Sequence, residues 1–207
     1  MKRGCKIVEK ARQRPPQHEE LSVKYLISAV AIVMVATPVF AAPLALQLAD
    51  PQPTELTEGL AVSYAYPKKV KTLEQAERAL KDAKPGTALS GLDYMDTLEG
   101  ENTLTADRPF NVAAAISGYV KFDEAGTYTI DFLTNDGLHA NIGGQEVAFF
   151  DGRHPCEESE AVEVEVPSAG WYDLSATYFQ RAGTACLHMR AGMGEPDWME
   201  NTSFGYK

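Results

Sequence analysis

The sequence predicts an all-β domain, an antiparallel β-sandwich of jelly-roll type with one short helix. Three observations carry this. Apolar and polar residues alternate with period 2 in run after run, the signature of half-buried strands. Gly, Pro, Asn and Asp punctuate those runs at short intervals, the spacing of an antiparallel sandwich or barrel. Only Thr72–Ala83 shows helical spacing, with Leu73, Ala76, Ala79, Leu80 and Ala83 on one stripe.

Residues 1–41 do not resemble fold. A polar extension containing Pro15-Pro16 leads to Lys24 and the apolar run Leu26–Ala36, then to Val39-Phe40-Ala41. A basic flank, a short apolar core and small residues at the cleavage positions describe a secretory signal, with cleavage after Ala41. The run is short for a membrane span, so an uncleaved anchor is the lesser alternative, and no stable span is expected after cleavage. A start codon placed too far upstream would explain the long polar extension. The expected destination is the periplasm, the cell surface or the medium.

Ala42–Glu58 contains three prolines and is expected to be a linker or extended arm, with the folded domain spanning 59–207. Leu60–Tyr66 is the first strand. Thr72 can cap the helix, Gln75 three residues on completes a capping box, and Lys84-Pro85-Gly86 stops it. Gly91–Arg108 is acidic and irregular, and Phe110–Phe122 is a long β run.

The chain is organised around Gly126–His154. Tyr128, Ile130 and Phe132 alternate with Thr127, Thr129 and Asp131. The alternation breaks at Asn135-Asp136-Gly137 and resumes at Leu138. Asp-Gly between two β runs signals a hairpin, because Gly accepts positive φ. Gly143-Gly144 turns the chain again into Gln145–Phe150, so the stretch is expected to be a meander with two tight turns. Further strands follow at Ala161–Val166, Trp171–Phe179 and Thr184–Arg190. His139 and His188 are expected on solvent-facing strand positions.

The whole chain has formal net charge −10. The first 41 residues hold seven basic and three acidic groups, so the remainder has 12 basic against 26 acidic, net −14. Such an acidic domain is a poor partner for nucleic acid or anionic membranes. It suits calcium, which prefers hard oxygen ligands. Cys156 and Cys186 remain after signal removal. An even count in an oxidising compartment favours a disulfide over two separate thiols, and closing that loop contributes roughly 3–4 kcal/mol in the chain-entropy model. No nucleophile elbow, zinc-protease helix or phosphate loop occurs, so no enzyme is expected.

The order of motifs resembles the protective-antigen fourteen-kilodalton domain family. Gly59-Leu60 with Tyr64, Phe110 with Gly118-Tyr119-Val120, Gly126-Thr127-Tyr128-Thr129, Asp151-Gly152-Arg153-His154 and Gly170-Trp171-Tyr172 carry the resemblance. It implies a β-sandwich whose better-known members bind sugars, some through calcium at an acidic pair. Here that pair is Asn135-Asp136 where those members have Asp-Asp, which removes one charge. The resemblance implies a calcium site of Asn135, Asp136 and Asp151. It implies a sugar site of Asp136, Gly137, Gly152 and His154; Trp198, in the acidic tail Gly194–Glu200, has the residue type to stack on a sugar ring. Each has a plain structural alternative. Asn135-Asp136 makes a good turn, Asp151 an Asx-turn, His154 a structural histidine, and Trp198 closes one end of the sandwich. The expected function is an exported, calcium-assisted carbohydrate-binding module that reads glycans at a loop end. The alternative is a protein-interaction or structural subunit of an envelope or surface assembly.

Overall fold

Each run of alternating residues between Leu60 and Arg190 is a strand. The computed structural model describes residues 42–207, and the expected signal segment lies outside the described residues. In chain order the strands are β1 (Leu44–Ala45), β2 (Thr57–Glu58), β3 (Ala61–Ala65), β4 (Lys84–Pro85), β5 (Asp93–Tyr94), β6 (Val112–Phe122), β7 (Gly126–Thr134) and β8 (Gly137–Ile142). They continue with β9 (Gln145–Phe150), β10 (Glu157–Glu158), β11 (Val162–Val166), β12 (Gly170–Gln180), β13 (Leu187–Gly192), β14 (Asp197–Trp198) and β15 (Phe204–Tyr206). The helix α1 (Leu73–Leu80) lies between β3 and β4. Thr72 caps it as expected, the Gln75 N–H donating to Thr72 Oγ1 at 3.3 Å, while Gln75 Oε1 reaches one residue further back than a capping box and takes the Lys71 N–H at 2.9 Å.

Two sheets form the sandwich. One runs β1-β11-β7-β13-β14, with β10 also on β7 and β5 also on β13. The other runs β2-β15-β6-β12-β8-β9, with β3 added to β6 and β4 to β3. Pairing is antiparallel except between β1 and β11. The inward faces are those the alternation predicts. Val164 and Val166 of β11 and Tyr172, Leu174, Ala176 and Tyr178 of β12 are buried. Ala113 and Ala114 of β6 lie directly opposite Phe179 and Tyr178, so small residues make room for two large rings. Phe122 meets Tyr128 and Tyr172 edge-on, with centroids 4.9 and 5.5 Å away, the arrangement that aromatic quadrupoles prefer.

Three expectations are corrected. The stretch around Asn135-Asp136 is not a hairpin. Thr134 pairs with Glu157 and Leu187 in the first sheet, whereas Gly137 pairs with Phe179 in the second, so the pair carries the chain from one sheet to the other. The positive φ falls on Asp136, at 50°, and not on Gly137. Of the two expected turns, the one at Gly143-Gly144 makes a hairpin, joining β8 to β9 with both glycines at positive φ. Second, residues 42–58 are not a free linker. β1 and β2 extend one sheet each, and Leu46 and Ala49 are buried. Third, His188 is not solvent-facing. It is 5% exposed under Trp198.

Gly137 is required for a reason that turn chemistry does not supply. A Cβ there would sit 2.0 Å from Cε1 of Phe179. Phe179 is itself buried against α1 by Ala65, Val70, Leu73, Ala76 and Ala113 on the outer face of the second sheet. The ring has nowhere to go, and overpacking of this kind costs about 2–3 kcal/mol. Gly137→Ala should therefore lower the thermal midpoint markedly, by calorimetry. An unchanged midpoint would show that the Phe179 pocket has slack. The same cluster seats α1, whose first turn then lies against the chain after β9.

Candidate functional site

The crossing from β7 to β8 places two polar residues between sheets, where their groups need partners. Asn135 is buried and finds four. Its Nδ2 donates to Gln180 Oε1 at 2.6 Å and to the Thr184 carbonyl. Its Oδ1 accepts from the Tyr178 hydroxyl at 2.8 Å and from the Cys186 N–H at 3.0 Å. Asp136 Oδ2 accepts from the Arg181 N–H at 2.7 Å, and the Asp136 N–H donates to the His154 carbonyl at 3.2 Å. Desolvation raises the Asp136 carboxyl above its ordinary range, opposed by the Arg181 N–H and by His154, Arg153 and Arg181.

Asp151, in the loop after β9, sends Oδ1 to the Leu73 N–H at 2.7 Å. It therefore satisfies one free donor of the first turn of α1, where negative charge is also favourable. Gly152 follows, and a Cβ there would lie 3.1 Å from Phe150. Cys156 and Cys186 form a disulfide with Cα atoms 6.0 Å apart, as expected, which ties this loop to the segment leading into β13.

These contacts decide the fit to calcium. Both lone pairs of the Asn135 carbonyl already hold donors, so it has none left for an ion. Asp136 and Asp151 each spend one oxygen on a backbone N–H. Among the described residues, the one grouping of three His, Cys, Asp or Glu ligand atoms is Asp96 with Cys156 and Cys186, and those sulfurs are bonded to each other. Asn135 therefore does not fit the expected calcium set, and the carbonyl that stands in for a carboxylate there is already filled. The missing charge at position 135 is replaced by a neutral amide whose four bonds need no metal.

His154 behaves otherwise. Its side chain is 8% exposed, and its ring packs edge-on to Phe150 with centroids 3.9 Å apart. Nδ1 lies 2.7 Å from the Pro155 carbonyl and 3.2 Å from Glu157 Oε1. Both are acceptors, so Nδ1 carries the proton. Nε2 is then left buried and with no partner. Such an orphan calls for an explanation, and an incoming donor is the direct one. His154 lines a cleft of about 420 Å³ together with Phe149, Phe150 and the carboxylates Glu146, Glu157, Glu158 and Glu160. Phe149 is 60% and Phe150 38% exposed, both large for apolar side chains.

Trp198 is not part of this cleft. Its ring lies on His188 at 4.0 Å and near the Arg190 guanidinium at 5.1 Å, on the first sheet. Arg190 is held by both Asp131 oxygens, at 2.7 and 2.8 Å, and by Glu158 at 2.9 Å. Of the residues lining the cleft, His154 is among those expected from the sequence, and Phe149 and Phe150 are not. Their signal was present: two adjacent phenylalanines end a run in which only one face can be inward.

No protein-family model and no curated protein sequence matches the chain. Solved structures do. The PA14 domain of the antifreeze protein MpAFP superposes with a TM-score of 0.61 at 16% identity, over 76% of this chain and 95% of that one. A PA14 sugar-binding domain from an RTX adhesin gives 0.59 at 16%, over 73% and 99%. The A domain of epithelial adhesin 6 from Candida glabrata, in complex with Galβ1-3GlcNAc, gives 0.60 at 13%, over 80% and 94%. The chain has the PA14-type β-sandwich fold that its motifs resembled.

Proposed function

We propose that this protein is an exported, non-enzymatic carbohydrate-binding module that takes a neutral sugar in the cleft between β9 and the loop 151–160. The observation that carries this is the unpartnered Nε2 of His154 beside the Phe150 ring. A sugar offers what the cleft lacks: a hydroxyl to donate to Nε2, and an apolar ring face for Phe149 and Phe150. The four glutamates accept further hydroxyls and repel acidic sugars. Two of the structural relatives support the ligand class, one named as sugar-binding and one in complex with a disaccharide. Export rests on the signal-like segment ending at Ala41. Calcium has no part in this reading.

Titration calorimetry with lactose and Galβ1-3GlcNAc, in calcium and in chelator, tests it. Binding should be the same in both. His154→Ala should weaken it about tenfold, the effect of one lost hydrogen bond, and Phe149→Ala by a similar factor. Equal binding by His154→Ala would remove the cleft from the account. The alternative, an interaction subunit of a surface assembly, rests on the exposure of Phe149, and predicts no saccharide response at all.

A further inference from the structure

After Ala41 the chain has 12 basic residues among 26 acidic ones. Five of the 12, Lys68, Lys69, Lys71, Arg153 and Arg181, gather where three loops meet: β3 to α1, β9 to β10, and β12 to β13. Lys68, Lys69 and Arg181 line one shallow cavity of about 270 Å³ with Phe110 and Asn111. Lys71 is close enough to the others that Lys69 and then Arg181 hold its ammonium below the usual range, with Arg153 adding to the effect.

The loops are pinned in this arrangement. The Val70 N–H donates to Asn111 Oδ1, the Asn111 N–H to the Arg181 carbonyl, and the Arg181 N–H to Asp136. Among the described residues, none of the five has a carboxylate within 4.0 Å, whereas Arg78, Lys121 and Arg190 each do. Like charges held together without paired side-chain counter-charges repel, and in a domain so rich in carboxylates such pairing was readily at hand. Asp136 is close enough to feel Arg153 and Arg181, but it pairs with no side chain of the five, and the patch is a net positive surface on an otherwise negative molecule.

We infer that this basic rim is an anion-binding surface separate from the His154 cleft, and that its ligand is an acidic glycan bearing carboxylate, sulfate or phosphate ester groups. The small cavity admits one such group at a time. Arg181 and the lysines supply fork and point-charge donors, and half-buried Phe110 offers an apolar surface beside them. The acidic surface around the patch, on a domain of net charge −14, opposes long polyanions such as nucleic acid, which would overlap it. The choice of a glycan rests on the carbohydrate-binding reading above. The anion site does not.

The test is binding of the full protein to sulfated dextran oligosaccharides, with neutral dextran and a single-stranded oligonucleotide of equal length beside them. Wild type should bind the sulfated ligand and not neutral dextran, and should lose affinity steeply as salt rises. Lys68→Ser/Lys69→Ser/Arg153→Ser, all exposed positions, should keep the melting temperature and bind at least tenfold more weakly. His154→Ala should bind the sulfated ligand as wild type does. Undiminished binding by the triple variant overturns the rim, and oligonucleotide binding as tight as that of the sulfated ligand overturns the glycan. Sulfated-dextran binding without lactose binding would sustain the rim while sinking the cleft, and the reverse result would do the opposite.

Discussion

Asn135→Asp should destabilise the protein by about 3–5 kcal/mol at neutral pH, the cost of an unpaired buried charge. The Asn135 amide donates to Gln180 Oε1 and to the Thr184 carbonyl. A carboxylate there would face two acceptors with nothing to donate. The introduced carboxyl would be desolvated, so its folded pKa would rise above the unfolded value of about 3.9. A raised carboxyl pKa lowers stability as pH climbs past the unfolded value. The deficit should therefore be smaller near pH 4 than at pH 8. Asn135→Ala should cost a similar amount, because the Tyr178 hydroxyl, the Cys186 N–H and Gln180 Oε1 lose a buried partner. Denaturant unfolding of both variants, in calcium and in chelator, measures this. If millimolar calcium made Asn135→Asp more stable than wild type, the pair would be a metal site after all. The amide would then be a substitute ligand and not the centre of a polar network.

Removal of the disulfide, by Cys156→Ser/Cys186→Ser, should cost about 3.5 kcal/mol. The bridge spans a sequence separation of 30, and the chain-entropy relation gives that figure for such a loop. For a domain of this size the thermal midpoint should fall by about 7–14 °C. A functional loss should accompany it. The bridge holds the loop carrying His154 against the chain entering β13, and Cys186 donates its N–H to Asn135. Lactose affinity should therefore fall further in the double variant than overall stability explains, even well below its melting point. If calorimetry on the reduced protein gives wild-type affinity, the loop is held by its other contacts. Those are Asp151 to Leu73 and Asp136 to His154.

The longer strands, their inward faces and the helix with its Thr72 cap were legible in the sequence because each depends on neighbours two to four residues away; the two- and three-residue strands such as β4, β5 and β10 exist only through their partners and were not. Val162, Val164 and Val166 need only their own alternation to be placed. Thr72 and Gln75 need only each other. The disulfide was legible for a compositional reason: two cysteines remain after the segment that reads as an export signal. Partnership across the fold was not legible. Asn135-Asp136-Gly137 has the local chemistry of a hairpin, but local chemistry does not say which sheet accepts the next strand. Thr134 is claimed by β10 and β13, Gly137 by β12, and the residues between them become a buried crossing.

That crossing also determined which candidate residues were left free. Asn135 was absorbed by Tyr178, Gln180, Thr184 and Cys186, which lie 43 to 51 residues away. Asp151 was taken by a helix 78 residues before it. His154, with the same local prospects as Asp151, kept an unpartnered nitrogen, because its neighbours there are the Phe150 ring and not a donor. The sequence by itself determined the alternation, the turns, the acidic charge and the residue types at the loop end. Only the tertiary structure decided which of those polar atoms were consumed by long-range hydrogen bonds and which were left without a partner. A side chain of a given type can serve packing or binding equally well until its partners are in place.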